Sequence, residues 1–269
     1  MFKEIKKEFI HGGHIQSLGA VIITATSSFL VQERISSILL ILIYLLFYSF
    51  YLFNRAEEVH IDYLTNPERV KYILKHHSKM PYFLGFNILL IGLILLKINN
   101  IIISIVSLAL LFFGLFYTIW FKKVTRYIPL FKNFYVAACF AVLVFYPIIY
   151  NEGTFGELAI LFAIFVFLKV TLIQILFDIK DIKGDKKEKL KTLPVLAGRE
   201  NAIFNLILFS FLITAIYLFL LPELKIIFIF SFLFNIIVYL LLKNYQKISY
   251  YLAMGEFGVW FFIITFLVN

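Results

Sequence analysis

Charge is the first thing this chain lacks. Asp, Glu, Lys and Arg make up 15% of its 269 residues, where a water-soluble domain carries about a quarter. Hydrophobic residues reach 62% and the mean hydropathy is +0.94. Too few polar side chains remain to cover a water-facing surface, so lipid is the main solvent. Cysteine is almost absent too. The single Cys139 excludes an internal disulfide and, lying in an apolar run, reads as a small buried hydrophobe. Acidic residues are in deficit, 16 against 25 Lys and Arg, a formal net charge of +9. In a soluble chain that surplus points to nucleic acid. In one this apolar it reflects membrane orientation, and no nucleic-acid partner is expected. No short apolar segment with a small-residue cleavage site follows the basic stretch Met1 to Phe9, so no cleaved signal peptide is expected.

What the chain has is long apolar runs. A membrane-spanning helix needs about 20 mostly apolar residues. Nine segments approach or meet that, at 15–32, 36–53, 82–97, 99–120, 134–150, 157–177, 201–221, 224–242 and 250–268. The third is the shortest, and Pro147 is expected to kink the fifth near its end. The connections alternate in character. Those after odd-numbered runs are short, while the N-terminus and the connections after even-numbered runs carry 21 of the Lys and Arg residues, among them Lys3, Lys6, Lys243 and Lys247. Only Arg34, Lys97 and Lys225 fall on the other side, and Lys169 lies inside a run. The positive-inside rule puts the basic face, with the N-terminus, in the cytoplasm. These features predict an all-α, polytopic protein of the cell membrane, one membrane domain over residues 1–269 with nine transmembrane helices.

The basic face also holds the acidic residues. After the second run the chain reads Asn54-Arg55-Ala-Glu57-Glu58-Val-His60-Ile-Asp62. If the helix persists, Glu58 and Asp62 lie about 40° and 80° round from Asn54, a single stripe of oxygen ligands. After the sixth run comes Asp178-Ile-Lys180-Asp181-Ile-Lys183-Gly184-Asp185. Its three aspartates also share one stripe, Asp181 and Asp185 falling at about 300° and 340° from Asp178. Gly184 and Pro194 are expected to break that helix into a loop. Hard oxygen ligands suit Mg²⁺, which completes its shell with water and substrate phosphates. Two such stripes can hold Mg²⁺ ions around a diphosphate and neutralise the leaving group as an allylic C–O bond ionises. Lys132, Lys180 and Arg55 lie on the same face and would complete the cage. Some of the 33 Phe and 16 Tyr residues could line an apolar tunnel and stabilise a carbocation through their π faces.

Each motif alone could equally be a solvated, ion-paired loop; it is the matching depth of the two that points to chemistry. His14 and His60 read as ordinary interfacial residues. No residue declares itself a general base, and Glu57 and His60 are only the nearest candidates. Lys169 sits nine residues before Asp178, about 13 Å along a helix. An intramembrane lysine is either a functional group, here a substrate ligand, or a side chain snorkelling to the interface.

The second motif, with Lys191-Thr192-Leu193-Pro194-Val195 and Gly198 behind it, resembles the D-x-x-D-x-x-G-D…T-L-P-V signature of the UbiA-type intramembrane prenyltransferases. Lys132-Asn133 is similar to that family's basic residue ahead of the fifth helix. The first motif departs from the family's N-D-x-x-D-x-x-x-D: Asn54 and Asp62 are kept, but Arg55 and Glu58 replace the first two acids. The resemblance implies nine helices around a central cavity. It also implies an Mg²⁺-dependent enzyme that ionises an isoprenyl diphosphate and transfers the prenyl group to a lipophilic acceptor from the bilayer, such as a quinone precursor or a lipid. Glu58, Asp62, Asp178, Asp181 and Asp185 would hold the metal. Asn54, Arg55, Lys132, Lys169 and Lys180 would hold substrate, with Lys132, Arg55 and Asp178 closest to the chemistry. Two alternatives stand beside this reading. One is a terpene cyclase on the same scaffold, needing no acceptor. The other is a transporter binding cations or phosphorylated lipids, although the repeated halves common in transporters are not evident.

Overall fold

A backbone in lipid has to satisfy its own hydrogen bonds, and the helix does so within one segment. All regular structure among the described residues (2–63, 65–242 and 246–268) of the computed structural model is accordingly helical. Ten helical stretches follow one another: α1 (Phe2–His11), α2 (His14–Leu30), α3 (Ser37–Glu57), α4 (Pro67–Ile98), α5 (Ile101–Val124), α6 (Phe131–Tyr150), α7 (Glu157–Lys187), α8 (Arg199–Leu220), α9 (Pro222–Leu241) and α10 (Gln246–Val268). Single turns, Val59–Asp62 and Leu193–Ala197, lie in the connections after α3 and α7. Seven of these, α3 to α9, are long and apolar enough to cross a membrane, and two shorter apolar helices, α2 and Leu252–Phe266 within α10, coincide with the first and ninth apolar runs. The protein is an integral, multi-pass membrane protein.

Neighbouring helices form a ring. α2 packs on α3 and α10; α3 carries α4 and α5; α6 joins α5 to α7; and α7, α8, α9 and α10 follow in turn. The core inside is dense in aromatic rings. Phe165 touches Tyr217, Phe228 and Trp260, with centroids 5.0, 5.0 and 5.1 Å away. α7 is the most buried of the seven long helices, with most of its span inside the protein.

Several sequence expectations change in detail. Gly184 does not break α7, which runs on to Lys187. The glycine serves close packing instead: a Cβ there would lie 3.3 Å from Ile61 Cγ2, so the missing side chain lets the two acidic motifs approach. Pro194 opens the turn Leu193–Ala197 rather than ending α7, a position where its missing N–H removes nothing. The third span is longer than its apolar run, because an amphipathic stretch from Pro67 leads into it through a 3₁₀ turn at His77–Lys79. In α6 the departure from α-helix comes just before Pro147, as a 3₁₀ turn over Val142–Phe145. Lys243 lies outside the described residues, as do the side chains of Lys3, Lys6 and Lys247.

Candidate active site

The first stripe forms at the end of α3. Glu58 departs from helical geometry at φ −91°, ψ 8°, yet its N–H still donates to the Asn54 carbonyl at 3.0 Å, and the Asp62 N–H to that of Glu58 at 2.9 Å. The i to i−4 track therefore survives, and Asn54, Glu58 and Asp62 line one side. The second stripe lies on the last three turns of α7, where Asp178 and Asp185 are buried. Both stripes open on one cavity of about 560 Å³. Glu58, Asp62, Asp178, Asp181 and Asp185 line it, together with the cations Arg55, Arg69, Lys122, Lys132 and Lys180.

The charges pair closely. Lys132 Nζ lies 3.0 Å from Asp178 Oδ1 and 2.8 Å from Asp185 Oδ1. Asn133 Nδ2 donates to the other Asp178 oxygen at 2.7 Å. Lys122 bridges Glu58 at 2.5 Å and Glu188 at 2.7 Å. Arg69 pairs with Asp62. Lys180 lies 3.0 Å from Asp181, which also accepts a bond from Asn66 Nδ2 at 3.4 Å. Burial pushes the carboxyl of Glu58 above its usual range, against the pull of Lys122. The Asn54 amide donates to Thr118 at 2.9 Å. The 125–130 connection and the start of α6 are themselves anchored. Its Leu130 N–H donates to the Lys191 carbonyl at 3.1 Å, the Lys191 N–H to that of Thr125 at 3.0 Å, and the Lys132 N–H to Thr125 Oγ1 at 3.0 Å. These bonds tie the lysine-bearing turn to the T-L-P segment.

A divalent cation fits the donors here. Asp178 and Asp185 converge on one point, held by the Lys132 ammonium. Among the described residues no three acidic, His or Cys side chains gather as a closed metal site. Mg²⁺ does not need such a cluster, because it takes one or two protein carboxylates and completes its shell from phosphate and water.

Two expected site residues are placed differently from the rest. Arg55 is 3% exposed and borders the cavity, but its guanidinium donates to the His11 carbonyl and, at 3.2 Å, to Gln16 Oε1. It ties α3 to the α1–α2 corner. Lys169 does not border the cavity and does not snorkel. It is buried and paired at 2.9 Å with Glu256 of α10. Glu57 and His60 are exposed and form no part of the cavity wall. Cys139 is half-buried and borders the cavity. Sequence reasoning missed Arg69, Lys122, Asn66 and Glu188, whose partners lie on other helices. It also missed Glu256, although a lone acid in the last span opposite a lone lysine in the sixth was a signal.

The cavity's other end is apolar, with Phe47, Phe50, Val136, Phe140 and Met254 in its wall. One compartment thus offers carboxylates and cations at one end and aromatic rings at the other. It can hold an amphiphile with a polyanionic head.

The sequence profile of the UbiA prenyltransferase family matches residues 15–268. The fold is similar to that of a UbiA homolog from Aeropyrum pernix K1, with a TM-score of 0.74 at 16% identity over 93% of this chain and 98% of that one. A UbiA homolog from Archaeoglobus fulgidus bound to GPP and Mg²⁺ superposes with a TM-score of 0.70 at 17% identity, covering 97% and 98% of the two chains. Digeranylgeranylglyceryl phosphate synthase gives 0.57 at 18% identity, over 98% and 97%. No curated protein sequence matches the chain.

Proposed function

The chain belongs to the UbiA prenyltransferase family, and from that premise we propose that it uses Mg²⁺ to ionise an isoprenyl diphosphate and transfers the prenyl group to a lipophilic acceptor drawn from the bilayer. One observation carries the reading: six carboxylates, Glu68 beside the five expected ligands, and five cations share a single cavity with an aromatic end. The relative bound to GPP and Mg²⁺ supports the same choice of ligands. Asp178 and Asp185, with Asp181, Glu58 and Asp62, would hold Mg²⁺, which supplies charge neutralisation at the leaving diphosphate. Lys132 binds the diphosphate and stabilises the charge that grows on it as the C–O bond breaks. Lys180 and Arg55 add positive charge at the cavity wall, and Asn54 orients the head group. Arg55 works from its tether to His11 and Gln16. The rings of Tyr51, Tyr117 and Phe177 border the cavity. They exclude water from the allylic cation and offer it their π faces.

The family match over residues 15–268 supports treating 1–269 as one membrane domain. The charge asymmetry supports a cytoplasmic site.

The test is diphosphate release by purified protein in nanodiscs supplied with allylic diphosphates, Mg²⁺ and lipid extract. Release is expected to disappear with EDTA and in the Asp181→Ala/Asp185→Ala variant. Release that persists without extract would mark a cyclase. No release by folded protein with any donor would overturn the proposal.

A further inference from the structure

The apolar end of the cavity is a floor of three rings. Phe47 and Phe140 meet edge to face with centroids 4.7 Å apart, and Phe50 lies 5.1 Å from Phe47. Each ring is backed. Phe50 sits directly on Gly114, where an added Cβ would overlap the ring. Phe140 stacks 6.3 Å from Phe257 of α10. Phe47 and Phe140 are 1% and 2% exposed, so neither has slack to swing aside.

The floor lies at a definite depth. Phe47 is seven residues back from Asn54 on α3, about 10 Å along the helix axis. Phe140 is eight residues on from Lys132 along α6, about 12 Å by the same rise. Three backbone bonds span 3.8 Å, so the four-bond repeat of an extended isoprenoid spans about 5 Å. Two units reach the floor from the level of the polar residues, a third fits only by bending, and a fourth has no room. The 560 Å³ must also hold the diphosphate and an acceptor.

We propose that Phe47 and Phe140 set the donor's chain length, and that the donor is a short allylic diphosphate of two or three isoprene units. This rests on the prenyl-transfer reading above. Gly114 takes part indirectly, since it is the reason Phe50 can pack beside Phe47, tilted 53° to it, and close the third side.

The test measures diphosphate release in nanodiscs with Mg²⁺ and lipid extract. Geranyl, farnesyl and geranylgeranyl diphosphate are compared in the wild type and in Phe47→Ala, Phe47→Leu and Phe140→Leu. The leucine variants shorten the side chain with less loss of packing, so a folding defect in Phe47→Ala leaves the question open to them. The wild type is expected to favour the ten- and fifteen-carbon donors over the twenty-carbon one by tenfold or more in kcat/KM. Folded variants are expected to recover at least tenfold on the twenty-carbon donor relative to the ten-carbon one. A wild type that uses geranylgeranyl diphosphate as well as the shorter donors would overturn the cap alone. So would folded variants with unchanged preference. Release from none of the three would remove the prenyl-transfer reading and the cap with it.

Discussion

Lys132 places one ammonium against two carboxylates, 3.0 Å from Asp178 and 2.8 Å from Asp185. The two aspartates lie seven residues apart on one face of α7, so their side chains converge on it from two turns of the helix. Replacing Lys132 by Met removes the cation and leaves two buried acids facing each other. Diphosphate release is expected to fall about 10²- to 10³-fold, the usual cost of losing one aimed donor at a developing charge, with Lys132→Arg falling less. A Lys132→Met variant that keeps wild-type kcat would remove this lysine from the chemistry. Gly184 illustrates a different use of a single residue. A side chain there meets Ile61, so Gly184→Val is expected to lower stability by about 1–3 kcal/mol through overpacking. It should also push the two motifs apart, and a thermal melt paired with an Mg²⁺ titration would read both effects. The acids were legible because a helix repeats their spacing. Arg69 and Lys122 were not, because nothing in local spacing says which cation of a basic face meets which acid.

Among the helices, the buried Lys169–Glu256 pair links α7 to α10, and Ser231 of α9 donates to the same glutamate. Both charged side chains are 1% exposed, so each depends on the other inside the membrane. Removing one leaves an uncompensated charge. Lys169→Met alone is expected to destabilise the protein by about 3–5 kcal/mol, whereas Lys169→Met with Glu256→Leu is expected to be near neutral or stabilising. Melting temperatures of the two singles and the double decide the matter. A double variant as unstable as the worse single would mean that the pair does more than balance itself. The same comparison in diphosphate release separates a structural lysine from a substrate ligand, since a merely structural pair leaves the double variant active.

For the whole molecule, the ring of helices closes around a compartment that is charged at one end and aromatic at the other. The positive-inside rule predicts its orientation: Lys186 belongs to the basic face, expected in the cytoplasm, and Glu223 to the opposite one. In a Cys139→Ser background, a membrane-impermeant thiol reagent is expected to label Glu223→Cys in intact cells. Lys186→Cys should be labelled only after the membrane is opened. Both positions are exposed, and the reverse pattern would turn the protein over and place the site outside.

The sequence by itself determined that this is a helical membrane protein, where its apolar runs lie, and that two acidic stripes stand at the ends of membrane helices on the basic face. Those features are local. An apolar run in lipid has to close its hydrogen bonds within itself, and a helix turns by a constant angle per residue, so ligand stripes can be counted off the chain. The tertiary structure decided which charges pair, that Arg55 reaches back to the α1–α2 corner, that Lys169 finds Glu256 instead of the cavity, and where three phenylalanines end the tunnel. Each of these depends on how helices distant in sequence pack against one another. That packing is settled by side-chain volumes meeting across the ring, down to the missing side chains of Gly114 and Gly184, and no spacing along the chain records it.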